Sequence, residues 1–217
     1  NREIKVRRMK AFLIERTEHL IREEGIARLS IRKIANGTGY TSTTIYNYFD
    51  DLDHLTLYAS LKYMKDYTQE LSAIVDRPVD FREKYLQICT AFNRHTFAAP
   101  AVFWNMFFGR HSNRLDVVIK DYYSLYPQEI ATGNETVLQM LYSGNIFERD
   151  RILLRQLASD GFIPFEQVEF VLQMVTRLHQ SFLYEIYMNP SIDPAEHSQK
   201  NIACMKHLLD LVAQKTP

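Results

Sequence analysis

The segment from residue 30 to residue 49 restricts the possible fold more than any other part of the sequence. It reads Ser-Ile-Arg-Lys-Ile-Ala-Asn-Gly-Thr-Gly-Tyr-Thr-Ser-Thr-Thr-Ile-Tyr-Asn-Tyr-Phe. Ala35 is small enough for a close helix contact, the later Gly39 permits a left-handed turn, and Ile45 can bury a second helix. This spacing predicts a helix-turn-helix. The residues expected to pack inside it are Ile31, Ile34, Ala35, Tyr40 and Ile45.

The second helix of this motif carries short polar side chains at its start and on its outward face. Hydroxyl and amide groups can hydrogen-bond to base edges in the major groove of DNA, whereas tyrosine and basic side chains suit phosphate contacts. The predicted DNA-binding residues are Arg32, Lys33, Thr41, Ser42, Thr43, Thr44, Tyr46, Asn47 and Tyr48. In the alternative interpretation, Thr41 or Ser42 serves only as a helix N-cap and Tyr48 only in packing. The helix has no Arg or Lys, so base reading would rely on hydroxyls and one asparagine.

Charge is distributed unevenly along the chain, although the formal net charge is zero. Through Phe49 there are ten Lys and Arg against five Glu, whereas the remaining residues carry 16 basic and 21 acidic side chains. A basic N-terminal region followed by an acidic remainder is typical of a phosphate-binding module joined to a domain with another task.

The rest of the sequence predicts helices, because apolar residues recur at helical spacing and Gly and Pro are scarce, with seven of each in 217 residues. Pro78 marks a break after a long fourth helix that begins at Asp50, Asp51 or Asp53. The helices expected further on are 80–97, 101–108, 115–125, 136–142, 147–159, 165–188 and 194–215.

The N-terminal segment resembles the DNA-binding domain of the TetR family of transcriptional regulators over about residues 8–65. The residues that carry the resemblance are Gly25, Ser30, Ile34-Ala35, Gly39-Tyr40, Thr44-Ile45-Tyr46-Asn47-Tyr48-Phe49 and Leu55. The resemblance implies an all-α fold with a three-helix DNA-binding domain at 1–50, a linking helix at about 51–75, and a larger effector-binding and dimerisation domain at 76–217. It also implies a homodimeric repressor that binds a double-stranded DNA operator and a small-molecule effector. We expect no cofactor.

Two positions depart from the family pattern. Leu52 stands where family members usually carry a lysine that contacts phosphate, which weakens the expected grip on the DNA backbone. Gly37-Thr38 replaces residues with higher helix propensity, and the glycine costs about 1 kcal/mol in that respect.

The last two predicted helices are candidates for a dimer interface. The helix at 165–188 is apolar on nearly all its faces, which indicates burial on more than one side. The predicted interface residues are Val171, Val175, Phe182, Ile186, Met205, Leu209 and Val212. The alternative is that these residues form the core of a monomer.

Residues 92–126 concentrate aromatic side chains with Arg and His between them, a composition that suits a small-molecule pocket. The predicted ligand-binding residues are Trp104, Phe107, Arg110, His111, Tyr142 and His179. Taken singly, an aromatic residue belongs to the hydrophobic core more often than to a ligand site.

Several function classes lack support in the sequence. Cys89 and Cys204 are far apart and without CxxC spacing, which favours free thiols in a reducing cytosol over a disulfide or a zinc site. No apolar run is long enough to cross a membrane, no signal peptide is visible, and no catalytic motif or metal-ligand spacing is present, so we expect neither an enzyme nor a membrane protein. Two alternatives stay open: a helical small-molecule-binding protein or enzyme whose helix-turn-helix only packs, and a non-specific DNA-binding protein.

Overall fold

The computed structural model describes residues 2–130 and 133–213, in which every regular element is a helix and no β-strand occurs. This confirms the all-α prediction. The α-helices are α1 (Arg2–Glu24), α2 (Ile31–Thr38), α3 (Ser42–Tyr46), α4 (Leu52–Ser60), α5 (Met64–Val75), α6 (Phe81–Ala98), α7 (Pro100–Phe108), α8 (Leu115–Leu125), α9 (Glu135–Leu141), α10 (Ile146–Ser159), α11 (Val168–Met188) and α12 (Pro194–Ala213). The predicted end of the last helix, Lys215, lies outside the described residues.

The fourth helix differs most from its prediction, because a short 3-10 segment at residues 61–63 divides the expected long helix into α4 and α5. Ser60 donates its hydroxyl hydrogen bond to the carbonyl oxygen of Thr56 at 2.8 Å, and Thr56 donates to that of Leu52 at 2.7 Å. Hydroxyls that bond back to carbonyls one turn earlier bend helices. The α-helix ends at Ser60, the donor of the first of these bonds.

The chain forms two compact units that do not follow the predicted boundaries. The first contains residues 1–65 and 101–130, and the second contains residues 66–100 and 131–217. In the first unit α4 packs on both α1 and α8, so the segment after Pro100 joins the helix-turn-helix. The division by function, at residues 50 and 76, stays a prediction.

The second unit is built around α6, α10, α11 and α12, which pack against one another, with α9 on α10. Its interior is apolar and includes the fully buried Leu153, Leu172 and Leu183. No helix among the described residues is long and apolar enough to cross a membrane.

Candidate nucleic-acid interface and ligand cavity

The two helices of the helix-turn-helix are held by an N-cap each and by a left-handed glycine between them. Ser30 caps α2 by accepting a hydrogen bond from the Lys33 backbone N–H at 3.1 Å, and Thr41 caps α3 in the same way with Thr44 at 3.2 Å. Gly39 ends α2 with a φ of 74°, a left-handed conformation that strains any residue with a side chain. Ser30, Gly39 and Thr41 therefore fix the turn that aims α3.

Helix α3 has one buried side and one exposed polar side. Ile45 is completely buried and Phe49, just beyond the helix, is nearly so, whereas Thr43, Tyr46 and Asn47 are exposed. The exposed face thus carries a hydroxyl, a phenol and an amide, which can contact base edges or phosphates. Of the other predicted DNA-binding residues, Arg32 and Thr41 are exposed, and Lys33, Ser42, Thr44 and Tyr48 are half-buried.

Two residues of this motif differ from their predicted surroundings. Tyr40 was expected in the interior, but it is 42% exposed at the turn and contacts the Phe12 ring edge-on. Lys33, expected to contact phosphate, forms an ion pair with Glu24, which lowers the pKa of that carboxyl. Phosphate binding by Lys33 would require this ion pair to break.

The N-terminus of α4 is held by a cluster of charged side chains within the first unit. Asp51 caps the helix by accepting from the His54 backbone N–H at 2.8 Å, and His111 Nε2 lies 2.9 Å from both of its carboxylate oxygens. Arg110 lies 3.7 Å from the same carboxylate, and Arg114 pairs with Asp50. Burial raises the pKa of Asp51. The hydrogen bonds from His54 and His111 lower it by more than burial raises it, so this pKa lies below its ordinary value.

A second polar cluster joins α1, α4 and α8 in the same unit. Asp121 accepts hydrogen bonds from Lys10 Nζ and from the Tyr58 hydroxyl, both at 2.6 Å. Burial raises the pKa of Asp121, yet these bonds lower it below its ordinary value overall. Helix α8 is thus tied through its acidic residue to the helices that support the helix-turn-helix.

The second unit contains a cavity of about 50 Å³ between α5, α6, α9, α10, α11 and α12. Most of its wall is apolar. The lining residues are Tyr67, Ile88, Cys89, Phe92, Asn93, Met140, Ile146, Arg149, Asp150, Leu153, Val175, Thr176, His179 and Met205.

Most polar groups of this cavity are almost completely buried, and Asp150 is half-buried. The Asn93 amide donates to Asn201 Oδ1 at 2.9 Å, and Asn93 Oδ1 lies 2.9 Å from His179 Nδ1. Burial lowers the pKa of His179 to about 3, so this imidazole is neutral. Burial raises the pKa of Asp150 to about 7, although the Tyr85 hydroxyl donates to that carboxyl at 3.2 Å and opposes the shift.

Of the predicted ligand-binding residues, His179 lines this cavity and the others do not. Trp104, Phe107, Arg110 and His111 belong to the first unit, where the last two contact Asp51, and Tyr142 lies outside the lining. The aromatic run at 92–126 looked like one cluster because it is continuous in sequence, but its residues are divided between the two units.

Sequence reasoning missed Asn93, Thr176, Arg149 and Asp150 as cavity residues. The available signal was a polar residue on an otherwise inward-facing position of a helix, as for Asn93 between Ala91 and Phe97 on α6. That signal is weak, because it requires the buried face of each helix to be known first.

The predicted dimer-interface residues also need correction. Val171, Val175, Ile186, Met205, Leu209 and Val212 are covered by other parts of the same chain, and Phe182 is half-buried. Six of the seven therefore form the monomer core, which was the alternative interpretation. Other apolar side chains on these helices face outward instead: Phe170, Met174, Tyr184, Tyr187 and Met188 on α11 and Leu211 on α12.

Within residues 2–130 and 133–213, no group of three or more His, Cys, Asp or Glu side chains could hold a metal ion. Both cysteines are free, with Cys89 buried and Cys204 exposed. Burial raises the pKa of the Cys89 thiol well above its ordinary value, so this cysteine is a poor nucleophile.

A helical chain that presents a polar helix on a capped helix-turn-helix belongs, by fold and site, to the class of DNA-binding regulatory proteins. Residues 13–59 match the family model described as "Bacterial regulatory proteins, tetR family". The match covers the helix-turn-helix, so this segment is similar to the N-terminal domain of that family. No curated protein matches the sequence significantly.

Solved structures of regulators share the fold across nearly the whole chain. One is FadR of Thermus thermophilus, a TetR-family transcriptional repressor in complex with lauroyl-CoA, at 15% identity and a TM-score of 0.60, covering 91% of this chain and 93% of that one. RolR in complex with resorcinol gives 16% identity and a TM-score of 0.61, with 99% and 97% covered. The SmeT–triclosan complex gives 16% identity and a TM-score of 0.51, with 92% and 90% covered.

Proposed function

We propose that the chain is a homodimeric repressor that releases its operator when a small molecule occupies the cavity of the second unit. The observation that carries the proposal is the exposed polar face of α3, in a segment that matches the DNA-binding domain of a regulatory family. Regulators of the same fold in complex with lauroyl-CoA, resorcinol and triclosan support a ligand-responsive mode of action.

The proposed mechanism is a shift between two conformational populations. Two recognition helices of a dimer must lie about 34–36 Å apart, or a multiple of this, to enter successive major grooves. A ligand that binds better to a conformation with another spacing lowers DNA affinity by the ratio of its affinities for the two states. The chain passes between the two units near residues 65, 100 and 130, so these connections are where ligand binding would be communicated.

A second copy of this chain is the proposed occupant of the outward apolar face of α11 and α12. Phe170, Met174, Tyr184 and Met188 recur at intervals of a helical stripe, and each is at least 40% exposed. Leu211 on α12 is also exposed and apolar, and α12 packs beside α11. When α11 and α12 of one copy pack against α11 and α12 of a second copy, the interface has two-fold symmetry. Such a dimer matches a palindromic operator.

The roles of the exposed α3 residues can be separated by operator-binding measurements. We expect Thr43→Ala and Asn47→Ala to reduce affinity for the preferred site by about 1–3 kcal/mol each and to relax sequence preference, because base-edge contacts are lost. Tyr46→Phe should weaken specific and non-specific DNA alike, because it removes a phosphate contact. The measurement is fluorescence anisotropy with an operator selected from a random-sequence DNA pool, beside a scrambled duplex.

Ser72→Ala, on α5 outside the helix-turn-helix, serves as the control and should leave both affinities unchanged. Equal losses from all three α3 variants on both duplexes would contradict the assigned roles. A wild-type protein that binds selected and scrambled DNA equally would contradict the repressor proposal and favour a non-specific DNA-binding protein.

Leu52→Lys should strengthen DNA binding. Leu52 is partly exposed at the first residue of α4, so an ammonium group there could contact phosphate. Each added phosphate contact should steepen the plot of log affinity against log salt concentration by about 0.9. Leu52→Gln supplies a polar side chain without charge and should leave the slope unchanged. A slope for Leu52→Lys equal to that of the wild type would show that residue 52 lies away from the DNA backbone.

A further inference from the structure

Two buried polar atoms on neighbouring turns of α11 line the cavity of the second unit without a hydrogen-bond partner among the described residues. They are Thr176 Oγ1 and His179 Nε2. Both side chains are at least 95% buried, so bulk water does not reach them freely. Leaving a buried polar group unsatisfied costs about 1–3 kcal/mol, which makes a pair of them at one cavity wall a strong indication of a recognised group.

The hydrogen bonding of His179 determines whether the recognised group must donate or accept a hydrogen bond at Nε2. Its Nδ1 lies against Asn93 Oδ1, which accepts the Nδ1–H, so Nε2 carries a lone pair and accepts a hydrogen bond. Side chains three residues apart on a helix have Cβ atoms about 5–6 Å apart. One hydroxyl oxygen, with hydrogen bonds of about 2.7–2.8 Å, can therefore donate to His179 Nε2 and accept from the Thr176 hydroxyl.

The remaining walls favour an aromatic ring beside the hydroxyl. Phe92 lies against the His179 imidazole with ring centroids 4.6 Å apart, and Tyr67 lies against Phe92 at 5.3 Å. The cavity of about 50 Å³ is smaller than the roughly 150 Å³ that holds benzene in an apolar protein cavity. Met140 and Met205 line it, and methionine side chains change rotamer readily, so a single ring can be admitted when they move.

A charge of either sign on the ligand is unfavourable in this cavity. The buried Arg149 and the half-buried Asp150 both line the cavity, so a ligand charge of either sign would meet a like charge as well as an opposite one. His179 is neutral and adds no charge of its own. Burying an unpaired charge costs far more than one hydrogen bond returns, so a neutral molecule suits the cavity best.

We infer that the cavity binds a small neutral phenol, whose hydroxyl bridges His179 Nε2 and Thr176 Oγ1 while its ring packs among Phe92, Tyr67 and the two methionines. This inference rests on the proposal that the cavity is the effector site. It names the ligand class that the cavity selects.

The test compares phenol, toluene and benzoate as probes of the full chain by calorimetric or NMR titration. We expect phenol to bind about tenfold tighter than toluene, which corresponds to about 1.4 kcal/mol, and benzoate to bind more weakly than phenol. Thr176→Val keeps the shape of the side chain but removes its hydroxyl. It should weaken phenol binding about tenfold and leave toluene binding unchanged.

A matched control is Thr96→Val on α6, because Thr96 is also fully buried but its hydroxyl already donates to the Phe92 carbonyl oxygen at 2.8 Å. It should leave the ratio of phenol to toluene affinity unchanged. In ¹⁵N-histidine spectra of the wild type, phenol and not toluene should shift the His179 Nε2 resonance. A merely structural role of Thr176 would not produce this difference between probes.

Equal affinities for phenol and toluene, tighter binding of benzoate, or no binding of any probe would each overturn the inference. Operator affinity, measured separately, keeps the two proposals distinguishable. Phenol that binds through Thr176 but leaves operator affinity unchanged would contradict the effector mechanism alone. Release of the operator by another compound, without phenol binding, would contradict the ligand class alone.

Discussion

Met174→Glu is expected to convert a dimer into a monomer and to reduce operator affinity by about 100-fold or more. The side chain lies on the outward apolar stripe of α11, where it is 40% exposed in the single chain. A carboxylate there would be buried among apolar side chains in the proposed two-fold interface. The loss on DNA is large because two linked reading units gain about 10²–10⁴-fold over one. Light scattering should show the mass fall from twice the chain mass to 25.6 kDa.

Val117→Glu provides the matched control for this variant. Val117 is also an exposed aliphatic side chain, 57% exposed, but it lies on α8 in the first unit. The same chemical change there should leave the mass in solution unchanged. A Met174→Glu protein that stays dimeric and keeps its operator affinity would place the interface on another surface, or would show that the protein acts as a monomer.

The helix-turn-helix was predictable from sequence because each of its features depends on neighbouring residues. A left-handed glycine at Gly39 and a buried Ile45 are determined within a few positions of the chain, and both have the predicted environment. Gly37 could not be explained in the same way. Its environment comes from α1, since an added Cβ would lie 2.4–2.8 Å from the Arg16 guanidinium.

The ligand and dimer residues were less predictable because they depend on contacts between distant parts of the chain. Periodicity identified α11 as apolar on several faces but could not say which face packs on α6, α10 and α12 and which faces outward. It therefore assigned Val171 and Val175 to the interface, although both are buried in the chain. Likewise, no local pattern places Asn93 beside His179, which is 86 residues away.

Ile45→Ala is expected to destabilise the helix-turn-helix by about 2–5 kcal/mol, the usual cost of truncating a fully buried isoleucine. The effect should be local and severe, because α3 has only five residues and a helix of this length does not persist without tertiary packing. Hydrogen exchange should show loss of protection in the α2 and α3 amides, while α10 and α11 in the second unit keep theirs.

Ile45→Val, which removes a single methylene group, should cost only about 0.5–1.5 kcal/mol and retain most of the protection. Operator affinity should follow the same order across the two variants, since a recognition helix that unfolds part of the time binds DNA in proportion to its folded fraction. If Ile45→Ala kept full amide protection in α3 and full operator affinity, the packing of Ile45 would not be what holds α3 in place. The N-cap at Thr41 and the left-handed turn at Gly39 would then have to suffice.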